Sequence, residues 1–131
     1  MTMQKNPTIM LVEDEVQQRE ALAMMFESEG YTVLTADSAE AGARHIQETV
    51  PDMIVTDVKL PGIDGFTFFD TVRERPPFKH IPFIFITGYN DPAAIESVKK
   101  LGAAGYITKP YELEHLITLV KKHLPPSVTG V

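Results

Sequence analysis

Four short stretches each follow an apolar run, and each brings a group able to do polar chemistry. Glu13, Asp14 and Glu15 follow the run 8–12, and Asp57 closes the run 53–56. Thr87-Gly88 follows the run 81–86, and Lys109-Pro110 follows 105–108. If these runs lie near one another, two or three carboxylates, one hydroxyl and one ammonium converge. Crowded carboxylates repel, so they share a proton or bind a cation. Oxygen-only ligation favours a hard ion such as Mg²⁺, which keeps several waters and accepts one or two carboxylates plus a phosphate. A facing lysine balances charge and binds phosphate as a point charge. A threonine hydroxyl donates to a phosphoryl oxygen, and an aspartate carboxylate is a nucleophile that forms an acyl phosphate. Each residue also has a plainer reading. Asp14 caps a helix, Asp57 starts a turn before Pro61-Gly62, Thr87 ends a strand and Lys109 is solvated. Their coincidence at one sheet edge favours the chemistry.

Such groups need a frame. The runs 8–12, 31–35, 53–56, 81–86 and 105–108 are rich in β-branched and aromatic residues, and several lack polar alternation. That suits strands covered on both faces, as in a parallel sheet. Helical stripes lie between them: Leu22, Met25, Phe26; Ala39, Ala43, Ile46, Val50; Ile95, Val98, Leu101; and Leu113, Leu116, Ile117, Val120, Leu124. All are expected to be core. Phe66 and Phe69, at helical spacing, read as packing, and the stretch 73–78 is assigned no role. Asp37, three residues before Glu40, has capping-box spacing; Asn90-Asp91-Pro92 supplies a cap and a first-turn proline; Gly30 and Gly102 stand where helices stop. Five β-α units in series predict an α/β fold with helices on both faces of the sheet. In such sheets ligands bind beyond the carboxyl ends of the strands.

The 131 residues fit one domain, expected over 1–124, with 125–131 a flexible tail or the start of a linker. No run approaches the roughly 18 apolar residues of a membrane span, and the polar start lacks the apolar core of a signal peptide. Cysteine is absent, which excludes thiolate chemistry and a disulfide frame. A cytoplasmic location without membrane contact is expected. The formal net charge of −6 argues against a nucleic-acid surface. The pairs Lys99-Lys100 and Lys121-Lys122 fall late in predicted helices, where they complement the helix dipole.

The segments 9–15, 52–65, 85–88 and 105–110, in this order and at these spacings, resemble the receiver domains of two-component response regulators. The resemblance covers about residues 7–124. It implies a doubly wound, flavodoxin-like (βα)5 fold with strand order 2-1-3-4-5. It implies that Asp57 is the phosphoacceptor and that Asp14, Asp57 and the backbone carbonyl of Lys59 ligate Mg²⁺, with Glu13 acting mainly through water. Lys109 would contact the phosphoryl oxygens, Thr87 would swing toward them, and Tyr106 would move from exposed to buried. The face of the fourth helix, fifth strand and fifth helix would carry the signal to an unknown downstream protein. The Lys109-Pro110 bond is expected to be cis. A histidine kinase or histidine phosphotransfer protein would be the donor. Lys59 and Tyr89 would tune dephosphorylation, the bulk of Tyr89 slowing it. The chain is then a switch rather than an enzyme acting on a separate substrate. It is expected to be a monomer or a phosphorylation-dependent homodimer.

Glu13 stands where many relatives have aspartate, a change that a water-mediated contact tolerates. Two other readings stay open: a pseudo-receiver that binds without being phosphorylated, and an aspartyl-phosphate phosphatase or phosphotransferase. Enzymes of the latter kind usually carry a second aspartate two residues after the nucleophile, where Lys59 stands here. A flavin-binding relative of the fold is the most distant alternative, because acidic residues after the first run would repel a flavin phosphate.

Overall fold

A strand that is apolar on both sides must be covered on both sides, and the chain meets that demand with alternating strands and helices. The structure, a computed structural model, describes residues 6–88 and 90–124. The strands are β1 (Thr8–Val12), β2 (Thr32–Ala36), β3 (Met53–Asp57), β4 (Phe83–Gly88) and β5 (Gly105–Lys109). The helices are α1 (Val16–Ser28), α2 (Ala39–Glu48), α3 (Gly65–Arg73), α4 (Pro92–Leu101) and α5 (Leu113–His123), and a 3-10 turn spans Pro76–Phe78. All strand pairings are parallel, in the order β2-β1-β3-β4-β5. The expected α/β fold and strand order are therefore observed.

Successive strand side chains point to opposite faces, so each central strand feeds two cores. Met10, Val12, Ile54, Phe83 and Phe85 pack with Ile46 of α2, Phe68, Phe69 and Val72 of α3, and Val98 of α4. Ile9, Leu11, Met53, Val55, Ile84 and Ile86 pack on the other face with Leu22 and Phe26 of α1 and Leu116 and Val120 of α5. Burying such a side chain fully is worth about 1.5–3 kcal/mol. The edge strands β2 and β5 are only partly covered.

Aromatic packing concentrates on the α3 face. The Phe83 ring lies 4.8 Å from that of Phe69 and 5.9 Å from that of Phe68, and Phe66 lies 5.4 Å from Phe85. Packing is thus the structural role of Phe66 and Phe69. The stretch 73–78 gains a role here. The Arg73 guanidinium sits 4.6 Å over Phe69 and donates to the Phe78 carbonyl at 3.2 Å, closing the aromatic cluster from outside.

Several sequence expectations shift. Ser38, not Asp37, caps α2, accepting from the Ala41 N–H at 3.1 Å. The hydroxyl one residue on has the reach that the capping geometry requires, so the Asp37–Glu40 spacing is not a capping box. Asp91 caps α4 with Pro92 in its first turn, as expected, and Gly102 ends it at φ 75°. Ile81 precedes β4, and Tyr31 precedes β2; both are buried nonetheless. Leu113 (46% exposed) and Val50 (54% exposed) are not core. Val50 lies past the end of α2, and Leu113 opens α5 before its stripe turns inward. Lys99 and Lys100 lie in the last turn of α4, and Lys121 and Lys122 in that of α5.

Phe83→Ala, opening a void among three rings, is expected to cost about 3–5 kcal/mol in urea unfolding, whereas Leu113→Ala costs less than about 1 kcal/mol. Equal losses at the two positions would contradict the packing described.

Candidate functional site

The carboxyl ends of β1, β3, β4 and β5 meet at one edge. Asp57 is the last residue of β3 and pairs with Ile86 of β4, while Thr87 pairs with Thr108 and Gly88 with Lys109. Backbone bonds pin this edge. The Val58 N–H donates to the Ile86 carbonyl at 2.9 Å, and the Gly65 N–H donates to the Val58 carbonyl at 2.8 Å. Gly65 approaches so closely that a Cβ there would stand 2.3 Å from the Asp57 carbonyl oxygen. At the end of β1, the Glu13 N–H donates to the Ala36 carbonyl at 3.0 Å, and the Glu15 N–H donates to Glu13 Oε2 at 3.0 Å. Glu15 caps α1, accepting from the Gln17 and Gln18 N–H groups at 3.3 and 3.1 Å. The cap reading of Asp14 is therefore wrong: Asp14 is exposed and the cap is its neighbour.

Glu13, Asp14 and Asp57 each offer one carboxylate oxygen within 4.8 Å of the others. Glu13 and Asp57 are buried, and their Glu13 Oε1 and Asp57 Oδ1 atoms have no protein partner. Lys109 Nζ lies 3.5 Å from Asp57 Oδ2, with the lysine side chain 44% and the aspartate side chain 6% exposed. At that length the contact is charge attraction more than a strong hydrogen bond. Burial, followed by the close approach and like charge of Glu13, pushes the Asp57 carboxyl up to about 8, against the pull of Lys109. Orphaned oxygens on crowded buried acids are what a hard cation would satisfy. The residues fit a magnesium-type ion.

Beside this centre, Val58, Lys59, Ile86, Thr87, Gly88 and Lys109 line a cavity of about 180 Å³. The expected residues Lys59, Thr87 and Lys109 thus share one space next to Asp57. Thr87 is buried and Lys59 exposed. Tyr106 is partly buried and packs against the core layer that α2, α3 and α4 cover. The Lys109-Pro110 bond is cis. Tyr89 lies outside the described residues, as does the stretch 125–131.

Sequence reasoning missed two neighbours of the site. Tyr111, directly after Lys109-Pro110, receives a hydrogen bond from Gln18 and shares a second cavity of about 320 Å³ with Gln18, Lys109 and Leu113. Burial first, then the Asp57 and Glu13 charges, raise its hydroxyl to about 12, while the Gln18 bond opposes them. Arg19 reaches back to donate to the Glu13 carbonyl at 2.8 Å. A basic residue one turn into the helix after an acidic turn was the available signal.

Comparison with known proteins agrees with this geometry. The family described as the response regulator receiver domain matches residues 9–121. The response regulator protein FleR of Pseudomonas aeruginosa is 34% identical over 123 residues, covering 93% of this chain but 25% of FleR. Sporulation initiation phosphotransferase F of Bacillus subtilis is 30% identical over 120 residues, covering 92% of this chain and 95% of that protein. The chemotaxis response regulator CheY4 of Vibrio cholerae superposes with a TM-score of 0.84 at 27% identity, covering 92% of this chain and all (100%) of that one.

Gly65→Ala is expected to lower stability by about 1–3 kcal/mol, because backbone must move to admit the methyl group; unchanged urea unfolding would refute the close approach. The raised carboxyl of Asp57 has a signed consequence. In metal-free protein its contribution to stability is complete below about pH 4 and is lost as pH rises through about 8. Asp57→Asn should therefore match wild type near pH 4 and exceed it by about 1–3 kcal/mol above pH 8. Thermal melts in chelator across that range would show a constant difference if Asp57 were not raised.

Proposed function

We propose, from the premise that this chain belongs to the response regulator receiver domain family, that it is a phosphoacceptor switch carrying its phosphoryl group on Asp57. One observation carries the reading most strongly. Asp57 is a buried carboxylate with one oxygen unpartnered and the other facing an ammonium 3.5 Å away, within reach of two further acids. A purely structural aspartate would have its hydrogen bonds satisfied.

The chemistry follows from these groups. A carboxylate oxygen of Asp57 forms a bond to phosphorus while the donor's P–N bond to histidine breaks, leaving an acyl phosphate. Lys109 offsets charge on the transferred oxygens and holds Asp57 in the unphosphorylated state. Thr87, buried in the cavity lining, donates to a phosphoryl oxygen. Glu13, Asp14, Asp57 and the Lys59 carbonyl would hold Mg²⁺, which when bound neutralises charge on the phosphoryl group. Transfer is then positioning plus charge compensation. Water entering the same cavity hydrolyses the acyl phosphate, a step whose rate Lys59 and Tyr89 would tune.

Movement of Thr87 toward the phosphoryl group frees space for Tyr106 to turn inward. That rearrangement alters the face of α4, β5 and α5, which a downstream protein reads. A histidine kinase or phosphotransfer protein supplies the phosphoryl group. In this reading the domain spans 1–124, its centre supported by the family match over 9–121, and works in the cytoplasm as a monomer or as a homodimer formed on phosphorylation. No described helix is long and apolar enough to cross a membrane. The chain matches a quarter of FleR and nearly all of the sporulation phosphotransferase, so relatives carry this unit both within longer chains and by itself.

Intact-protein mass after incubation with acetyl phosphate tests the proposal. A Mg²⁺-dependent, hydroxylamine-labile adduct on wild type that is absent from Asp57→Asn is the expected result. No adduct with acetyl phosphate or with a panel of phosphorylated histidine kinases would replace this reading with a binding module that is never phosphorylated.

A further inference from the structure

We propose that Arg19 is a positioning residue for the cation site: it holds the acidic turn after β1 in the shape that binds a divalent metal. The inference rests on the reading of Glu13, Asp14 and Asp57 as that site. Arg19 Nη1 donates to the Glu13 carbonyl at 2.8 Å and reaches the Asp14 carbonyl at 3.5 Å. One guanidinium nitrogen therefore holds the backbone of both acidic residues from behind. The Glu13 N–H is already tied to Ala36, and the Glu15 N–H to Glu13 Oε2. Arg19 completes the frame by taking up the carbonyls that those bonds leave over. It anchors the turn from α1, in the helical turn that Glu15 caps.

The consequence falls on Glu13 Oε1. That atom belongs to a residue only 1% exposed, has no protein partner, and is one of the oxygens available to an ion. A turn free to rotate about residues 13 and 14 would lose the mutual approach of the three carboxylates. Arg19 also places a positive charge behind three acids that otherwise repel one another, while having no carboxylate partner of its own in the described contacts. Its charge is thus available to the backbone dipoles. Arg44 and His45 share a polar cleft of about 320 Å³ with it, together with Asp37, but only Arg19 bonds to the acidic turn.

Outer partners of this kind, when removed, weaken metal binding by roughly 10- to 100-fold. Calorimetric titration of Mg²⁺ into metal-free wild type, Asp14→Asn and Arg19→Ala tests the idea, alongside metal-free melting temperatures. The expected result is tight binding by wild type, near-complete loss in Asp14→Asn, and about tenfold weaker binding in Arg19→Ala with a metal-free melt close to wild type. With acetyl phosphate, the Mg²⁺ concentration for half-maximal phosphorylation should rise about tenfold while the plateau rate falls less. Arg19→Met keeps the packing of the stem without the N–H groups, and decides by the same criteria if the alanine variant folds poorly. Wild-type affinity in a folded Arg19 variant overturns the proposal. Equal Mg²⁺ binding by wild type and Asp14→Asn overturns the cation site itself, a separate failure.

Discussion

Two buried carboxylates facing one another are the constraint around which this molecule is arranged. Glu13 directly follows β1 and Asp57 closes β3, and neither would stay so near the other unless the backbone forced it. The sheet supplies that force. β1 and β3 are adjacent and covered on both faces, so their carboxyl ends cannot separate without opening both cores. The free energy of apolar burial is thereby converted into electrostatic tension at a single edge. A protein relieves such tension with a proton, a cation or a counter-charge. Here the surroundings admit all three: Asp57 takes up a proton readily, Lys109 leans in from β5, and an oxygen-lined gap remains.

The frame around the edge is stiff on one side and open on the other. Toward α3, Gly65 presses against the Asp57 backbone with no room for a methyl group, and the aromatic cluster lies just beyond. Toward β4 and β5 lies the cavity that Thr87 and Lys109 share. The cavity beside Asp57 therefore lies toward the strands whose ladder continues to Tyr106. The Phe85–Tyr106 pairing lies two residues before Thr87–Thr108 on the same ladder. The backbone of Asp57 thus has a close-packed wall on one side and open space on the other.

Much of this was legible before any coordinates. The runs without alternation announced a sheet covered on both faces, and the polar residue closing each run marked the edge where chemistry would lie. Asp57, Thr87 and Lys109 were found that way because strand ends are short-range features. What the sequence hid was set by one-residue geometry or by contacts across the fold. Asp37 and Ser38 both suit a cap, and only the backbone path chooses between them. Asp14 and Glu15 pose the same ambiguity, resolved when Glu15 takes the N–H groups of α1. Leu113 fits the stripe of α5 by spacing, yet the stripe dips inward only from Leu116. Arg73 looked idle because its contact with Phe83 arises only once α3 lies on the sheet, and its bond to the Phe78 carbonyl only once the 3-10 turn folds back.

The division of the interior into two layers has a consequence for how such a chain can change over generations. The layer under α1 and α5 and the layer under α2, α3 and α4 share no side chains, only the strands that run between them. A substitution that alters volume in one layer leaves the volume of the other untouched, and effects at separated sites add nearly independently. Lineages can therefore rework one flank of the molecule while the opposite flank keeps its ancestral packing. The strand backbones are the inheritance common to both, and the carboxylate edge sits at their ends.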